Sequence, residues 1–257
     1  MIVIRDCAGW DELEACVRLQ VETWGAAAEE IFPRKAFLLA QKIGGQVIGA
    51  FDTELEERVD KAGSLVGFVL SLPGMKSGEN GPLPYLHSHM LAVRAGYRDQ
   101  GIGAQLKWQQ RVEAIRRGIG LIEWTFDPLE IKNAFLNISK LGAVVRRYEV
   151  DFYGVSSSRL QCGLPTDRLV AEWRLDSPRV KAIVEGREPG GRVVEERIPV
   201  PAAIYEWKAR DRERALAVQL ENRRKFQEAF SRGLAVTSFA LDADRNGIFE
   251  LGFDGPA

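Results

Sequence analysis

Leu91-Ala92-Val93-Arg94-Ala95-Gly96-Tyr97-Arg98-Asp99-Gln100-Gly101-Ile102-Gly103-Ala104-Gln105-Leu106 is the stretch on which the reading of the fold turns. An apolar, strand-like run from Met90 to Val93 breaks at Arg94-Ala95-Gly96, and a helical pattern runs from Gly101 to Arg117. A strand, a glycine-bearing turn and a helix that opens on small residues together make a cradle for a phosphate. The first-turn N–H groups of such a helix have no intrahelical acceptor, and its dipole favours an anion there. Small residues at Gly101, Gly103 and Ala104 let the backbone approach that anion closely.

Two familiar phosphate motifs do not fit this stretch. A dinucleotide-binding turn needs Gly-x-Gly-x-x-Gly near the start of a βαβ unit, whereas here the third glycine is absent and three strands precede it. A Walker A loop needs Lys-Ser or Lys-Thr after the last glycine, and Gly103 is followed by Ala104.

Working outward, Ile2 to Arg5 reads as a first strand. A helix capped by Asp11 follows to Gly25, and a second helix runs from Pro33 to Gly44-Gly45. Gln46 to Phe51 and Leu65 to Leu72 read as apolar strands. Pro73 to Pro84 reads as a Gly/Pro loop, and Tyr85 to Val93 as the fourth strand. After the cradle helix come a strand (Leu121 to Phe126), a helix ending at Gly142 and a strand from Val144 to Tyr153. This order predicts an α/β (α+β) fold with a partly parallel, mixed sheet flanked by helices. Beyond Gly154 the pattern predicts a strand at Leu169 to Leu175 and a short helix capped by Ser177. A strand-like Val193 to Val200 and one long helix from Lys208 to Arg232, with Leu216, Leu220, Phe226, Ala229 and Phe230 apolar, come next. A hairpin closes the chain, its turn at Asn246-Gly247; Asp242-x-Asp244-x-Asn246 imitates a calcium loop but has Phe253 where the bidentate Glu belongs. The expected domains are 1–176 and a C-terminal α+β extension, 177–257.

Composition narrows the function classes. The 257 residues carry a net charge of −1, with 46% apolar and 28% charged residues, ordinary for a globular protein with a sizeable core. Nothing in that balance points to nucleic acid or an anionic membrane, and the basic cluster from Arg210 to Lys225 alternates with acids like a solvated helix face. The opening MIVIRDCAGW has no secretory pattern, and apolar runs are too short to span a bilayer. Cys7, Cys16 and Cys162 have neither zinc spacing nor even number. A cytoplasmic location without membrane partner is expected.

At Arg98-x-x-Gly101-x-Gly103 the sequence resembles the GNAT superfamily of acyl-CoA N-acyltransferases, in element order over Ile2 to Tyr153 and in motif detail over Leu91 to Ala143. The resemblance implies that backbone N–H groups of Gln100, Gly101, Ile102, Gly103 and Ala104, with Arg98, hold the coenzyme A pyrophosphate. It implies that Leu91, Ala92 and Val93 pair with the pantetheine amides like an added strand. A second motif, Asp127-Pro128-Leu129-Glu130-Ile131-Lys132-Asn133-Ala134 ending in Lys140-Leu141-Gly142-Ala143, places Asn133 where the family contacts the pantetheine arm. The family's frequent tyrosine, which protonates the departing thiolate, is Ile138 here; Tyr148 or Tyr153 is left as a candidate for that role. The resemblance also implies a centrally splayed sheet, and acetyl-CoA or succinyl-CoA as a co-substrate with no permanently bound cofactor. The later segments, with Gly163 to Arg168, resemble a bacterial branch with a C-terminal extension that includes amino-acid N-succinyltransferase-like proteins.

Candidate chemistry lies on the strand entering the cradle. His87 and His89 are the chain's two histidines, and period-two spacing puts both on one face. An imidazole near the acyl group can take the proton that an amine must lose; a hydrogen-bonded core histidine is the alternative. No third ligand completes a metal site. Glu123 is a second candidate base. Asp127 either positions the acceptor amine or caps the next helix. Should succinyl-CoA be the donor, Arg94, Arg146, Arg147 and Arg168 are candidates for its carboxylate. The expectation is direct acyl transfer to a small amine, plausibly an amino acid, with a homodimer among the expected assemblies. A GNAT-like acyl-CoA-binding or regulatory protein without turnover is the alternative.

Overall fold

The computed structural model describes residues 1–25, 27–56, 62–78, 81–190 and 193–254. The chain forms two compact units, Met1–Glu123 with Ser157–Leu160, and Trp124–Ser156 with Gln161–Ala257.

In the first unit the order is β1 (Ile2–Asp6), α1 (Gly9–Trp24), α2 (Arg34–Lys42), β2 (Gln46–Asp52), α3 (Thr53–Glu56), β3 (Leu65–Gly78), β4 (Gly81–Val93), α4 (Ile102–Arg116) and the start of β5 (Leu121–Phe126). The strands lie in the order β1-β2-β3-β4-β5, antiparallel up to β4 and parallel from β4 to β5. Every residue of β2 is buried, which is why the strand reads as one apolar run rather than an alternation. Cys16, Leu19, Phe37, Phe68 and Leu70 belong to one core cluster; Ile48, Ala50, Val66, Val69, Ile102 and Leu106 belong to another. The period of two sends Phe68 and Leu70 to one cluster and Val69 to the other.

Two local expectations are corrected. The N-cap of α1 is Ala8, not Asp11; Glu12 accepts from the Ala8 N–H at 2.7 Å and so satisfies it from within the first turn. Residues 73–78 and 81–84 are not loop but strand, paired from Pro73↔Leu86 to Gly78↔Gly81. Pro82 and Pro84 are tolerated because the pairing of β5 with β4 begins at Leu86, beyond both prolines, so one edge of this ribbon needs no donor.

The second unit contains the end of β5, α5 (Ile131–Ala134) running into a π-helical turn Phe135–Lys140, β6 (Val144–Glu149), β7 (Arg168–Arg174), α6 (Pro178–Val184), β8 (Glu196–Val200), α7 (Ile204–Arg210), α8 (Arg212–Ser231), β9 (Leu234–Leu241) and β10 (Gly247–Phe253). Its strands follow the order β7-β6-β9-β10-β8. The compact units divide elsewhere than at 176/177, because β6 pairs with β9 at Val145↔Val236 and Arg223 of α8 ion-pairs with Asp167. The single long C-terminal helix is two helices: Asp211 breaks it and caps α8, accepting from the Arg214 N–H at 3.1 Å. Leu220, expected on the apolar face, is exposed, while Gln219 and Asn222 are buried and donate to Pro165 O and Pro199 O.

Candidate functional site

The glycine turn holds its shape through its own side chains. Arg98 Nε donates to Val93 O at 3.0 Å, and Gln100 Nε2 to Gly96 O at 3.1 Å. Tyr97 anchors the turn outward, its hydroxyl donating to Asp52 Oδ2 at 2.8 Å, and the Arg94 N–H donates to Val66 O. Gly101 is the N-cap of α4 at φ 79°, a conformation that glycine adopts without strain. No side chain caps α4 and its first turn carries no acid, so the N–H groups there face no built-in anion. Arg98 and Gln100 thus brace the turn, and the backbone N–H groups of α4's first turn are left without a side-chain cap.

Upstream, β4 carries a bulge. Its register with β3 steps from Leu70↔Met90 to Ser71↔Ser88, leaving His89 as the extra residue. Leu91, Ala92 and Val93 pair with Val69, Phe68 and Gly67. Pairing of β4 with β5 comprises Leu86↔Ile122 and His87↔Glu123. Past His87, among the described residues, β4 therefore offers backbone donors and acceptors on its β5 edge, as an added strand requires.

A buried polar network ties α4 to this bulge. Lys107 Nζ donates to Ser88 Oγ at 2.8 Å and to Gln110 Oε1 at 3.3 Å; Ser88 Oγ donates to the same Gln110 oxygen at 3.1 Å. Gln46 Nε2 reaches Gln110 O at 3.1 Å, and Ser71 Oγ donates to Gln46 Oε1. Burial holds the Lys107 amine well below its ordinary pKa. Sequence reasoning missed Lys107. The available signal was its place one residue after buried Leu106, three before buried Gln110, on the inner side of α4.

His87 and His89 do share one face despite the bulge, with ring centroids 6.2 Å apart, and Phe32 lies 5.3 Å from the His89 ring. Burial depresses both imidazoles; His89, Lys107 and Lys76 add to the effect on His87 and Glu123 opposes it, leaving His87 at about 4. Both rings are accordingly neutral at pH 7. The sign of the linkage follows: between pH 6.5 and 4 the unfolded chain binds a proton that folded His87 refuses, so stability falls as pH drops through that window. The depression from 6.5 to about 4 is worth on the order of 3 kcal/mol. A His87→Asn variant is expected to flatten the loss of stability between pH 6.5 and 5, read from urea midpoints. NMR titration of the wild type should show His87 still neutral at pH 5.5; a midpoint near 6.5 would overturn its burial as the cause.

Glu123, opposite His87 in register, is buried and ion-paired with Lys76 Nζ, itself 29% exposed. Lys76 lies 5.1 Å above the Tyr85 ring. Lys76 was also missed, because the sequence placed it in a loop.

The remaining candidates belong to the second unit, apart from Arg94, whose Nε pairs with Glu22 at 3.6 Å. Asn133 is exposed on α5. The Tyr148 hydroxyl donates to Asp167 Oδ2 at 2.5 Å, and burial together with that bond pushes the phenol well above its ordinary range. A proton held that firmly is not offered to a leaving thiolate. Tyr153 is bonded through its hydroxyl to Thr125 at 2.9 Å, and Ile138 is core. Asp127 caps the turn, accepting from the Leu129 N–H at 2.8 Å, and accepts from buried Lys208 at 2.8 Å. Arg146 and Arg147 pair with Glu172, and Arg168 donates to Asp167 O.

No protein-family model matches the sequence, and no curated protein matches it either. Solved structures do. The ribosomal-protein-S18-alanine N-acetyltransferase of Escherichia coli superposes with a TM-score of 0.50 at 15% identity, over 69% of this chain and 96% of that one. The Salmonella typhimurium protein yncA, solved with acetyl-CoA, gives 0.51 at 17% identity over 69% and 95%. A GNAT-family protein of Desulfovibrio desulfuricans gives 0.50 at 12% identity over 68% and 99%. The fold is that of the GNAT acetyltransferases. At these identities the likeness fixes the architecture, a mixed sheet flanked by helices, and the chemistry has to be argued from the residues. Among the described residues no helix is long and apolar enough to cross a membrane.

Proposed function

We propose that this protein is an acyl-CoA-dependent N-acyltransferase that moves an acetyl or succinyl group directly to a small amine, an amino acid in our reading. The observation that carries this is one continuous tract on the first unit: the uncapped, glycine-led N-terminus of α4, fed by a bulged strand whose β5 edge opens past His87. The acetyl-CoA bound by the similar Salmonella typhimurium protein supports the same reading. The six steps from Val93 back to His87 span about 20 Å at strand rise, the reach of an extended pantetheine arm. In this reading a pyrophosphate on the Gly101–Ala104 backbone brings the thioester beside His87 and His89, with Leu91 to Val93 pairing the amides.

The thioester supplies an activated carbonyl and a thiol leaving group of pKa about 8.5. The amine, once neutral, forms the N–C bond as the C–S bond breaks and the sulfur leaves as thiolate. His87 and His89 are neutral at pH 7, as a proton acceptor must be, and His89, the less depressed of the two and so the stronger base, takes the amine's proton directly or through water. Lys107 holds the strand bearing them by its bond to Ser88. The modest basicity of the thiolate allows it to depart without a proton donor.

The test is release of free thiol from acetyl-CoA and succinyl-CoA with pooled amino acids. Amine-dependent release is expected. Tight acyl-CoA binding without turnover for any pairing would replace this reading with a non-catalytic acyl-CoA-binding protein.

A further inference from the structure

We infer that Lys76 and Glu123 form an exchangeable ion pair that selects acceptors carrying both an ammonium and a carboxylate, that is, α-amino acids rather than plain amines or peptide N-termini. This rests on the transferase reading and names its acceptor class.

The argument starts from burial. Glu123 is 5% exposed, so an ionised carboxylate there must have a cation, and Lys76 supplies it. Lys76 is 29% exposed and arrives from the β3–β4 ribbon, so it can swing outward into solvent at little cost while Glu123 cannot. Its ammonium rests near the π face of Tyr85, whose ring stands over Gly74; a Cβ at Gly74 would meet that ring at 2.5 Å. The pair is also placed where an acceptor must lie, since Glu123 stands opposite His87 in the β4–β5 register.

An α-amino acid carries the same two charges as the pair it would open. Its ammonium can replace Lys76 at Glu123, and its carboxylate can take the released Lys76. Both protein charges remain compensated throughout. A plain amine leaves Lys76 without its carboxylate, and a neutral carboxamide offers it only a weak acceptor. The charge-assisted contact at stake corresponds to roughly a ten- to hundredfold preference. The succinyl carboxylate of a donor has the same chemistry, so the two sources must be separated.

The experiment compares each common L-amino acid with its own α-carboxamide, using both acetyl-CoA and succinyl-CoA, in wild type, Lys76→Met and Lys76→Arg. Wild type is expected to favour acid over amide by roughly tenfold or more in kcat/KM with either donor. Lys76→Met should bring that ratio close to one, and Lys76→Arg should keep it. A wild-type ratio near one, or a ratio unchanged in Lys76→Met, would overturn the inference while leaving the transferase intact. So would a loss that follows the succinyl group rather than the acceptor. Should Lys76→Met not fold, the wild-type ratio and Lys76→Arg still decide. Absence of any amine-dependent thiol release in wild type would instead remove the transferase reading on which the pair depends.

Discussion

Replacing Gly103 with valine is expected to weaken acetyl-CoA binding by roughly ten- to a hundredfold, while thermal stability changes little. Gly103 is half-buried in the first turn of α4, where N–H groups lie uncapped by any side chain. An isopropyl group there is expected to crowd a pyrophosphate on those donors, and its branching restricts the rotamers by which it could turn aside. The helix itself loses nothing by the change: glycine inside a helix is about 0.3 kcal/mol or more worse than valine. Binding and folding should therefore separate cleanly. Calorimetric titration with acetyl-CoA, beside a thermal melt, measures both. Wild-type affinity in a folded variant would remove the cradle from this loop, and with it the tract along β4.

Arg223→Leu should cost about 3–5 kcal/mol, the largest stability loss of any single change considered. Asp167 has no exposed surface, and its carboxylate is satisfied from several sides. Arg223 binds it through two bonds, Nε to Oδ2 at 2.8 Å and Nη2 to Oδ1 at 2.9 Å. Tyr148 donates to Oδ2, and the Asp151 N–H to Oδ1 at 3.1 Å. Leucine keeps much of the packing volume but leaves a buried anion with neutral donors alone, and dispersion cannot replace the lost charge. For a chain of this size the loss corresponds to a fall of about 10 °C in thermal midpoint. Paired replacement, Arg223→Leu with Asp167→Asn, should recover a large part of it, because the buried charge goes with its partner. A melt of Arg223→Leu within 2–3 °C of wild type would show that water or another cation reaches Asp167.

These two expectations differ in what made them legible. The cradle is a local object. Small residues at 101, 103 and 104 follow a strand directly and open a helix, so a linear pattern carries the geometry, and only the bracing bonds of Arg98 and Gln100 needed coordinates. The histidine face was readable for the same reason, since alternation survives at His87 and His89 even across the bulge. The bulge itself was not, because an extra residue in one strand is defined by its neighbour's register. Lys76 was hidden by prolines and glycines that signal a loop but are tolerated where β4 has a free edge. Leu220 and Gln219 exchanged expected places because hydrophobicity alone does not say which carbonyls, such as Pro165 O, a buried amide will find.

The sequence by itself determined most of the order of strands and helices, the strand–turn–helix from Met90 to Arg117 and the shared face of His87 and His89, all set by contacts within a few residues along the chain. Tertiary structure alone decided which polar groups are committed and which are exchangeable. Tyr148 lost its candidacy to Asp167, nineteen positions away, and Glu123 acquired Lys76 from forty-seven positions away. The physical reason is that charge and hydrogen bonding depend on distance and burial, and both are created only when remote segments pack together.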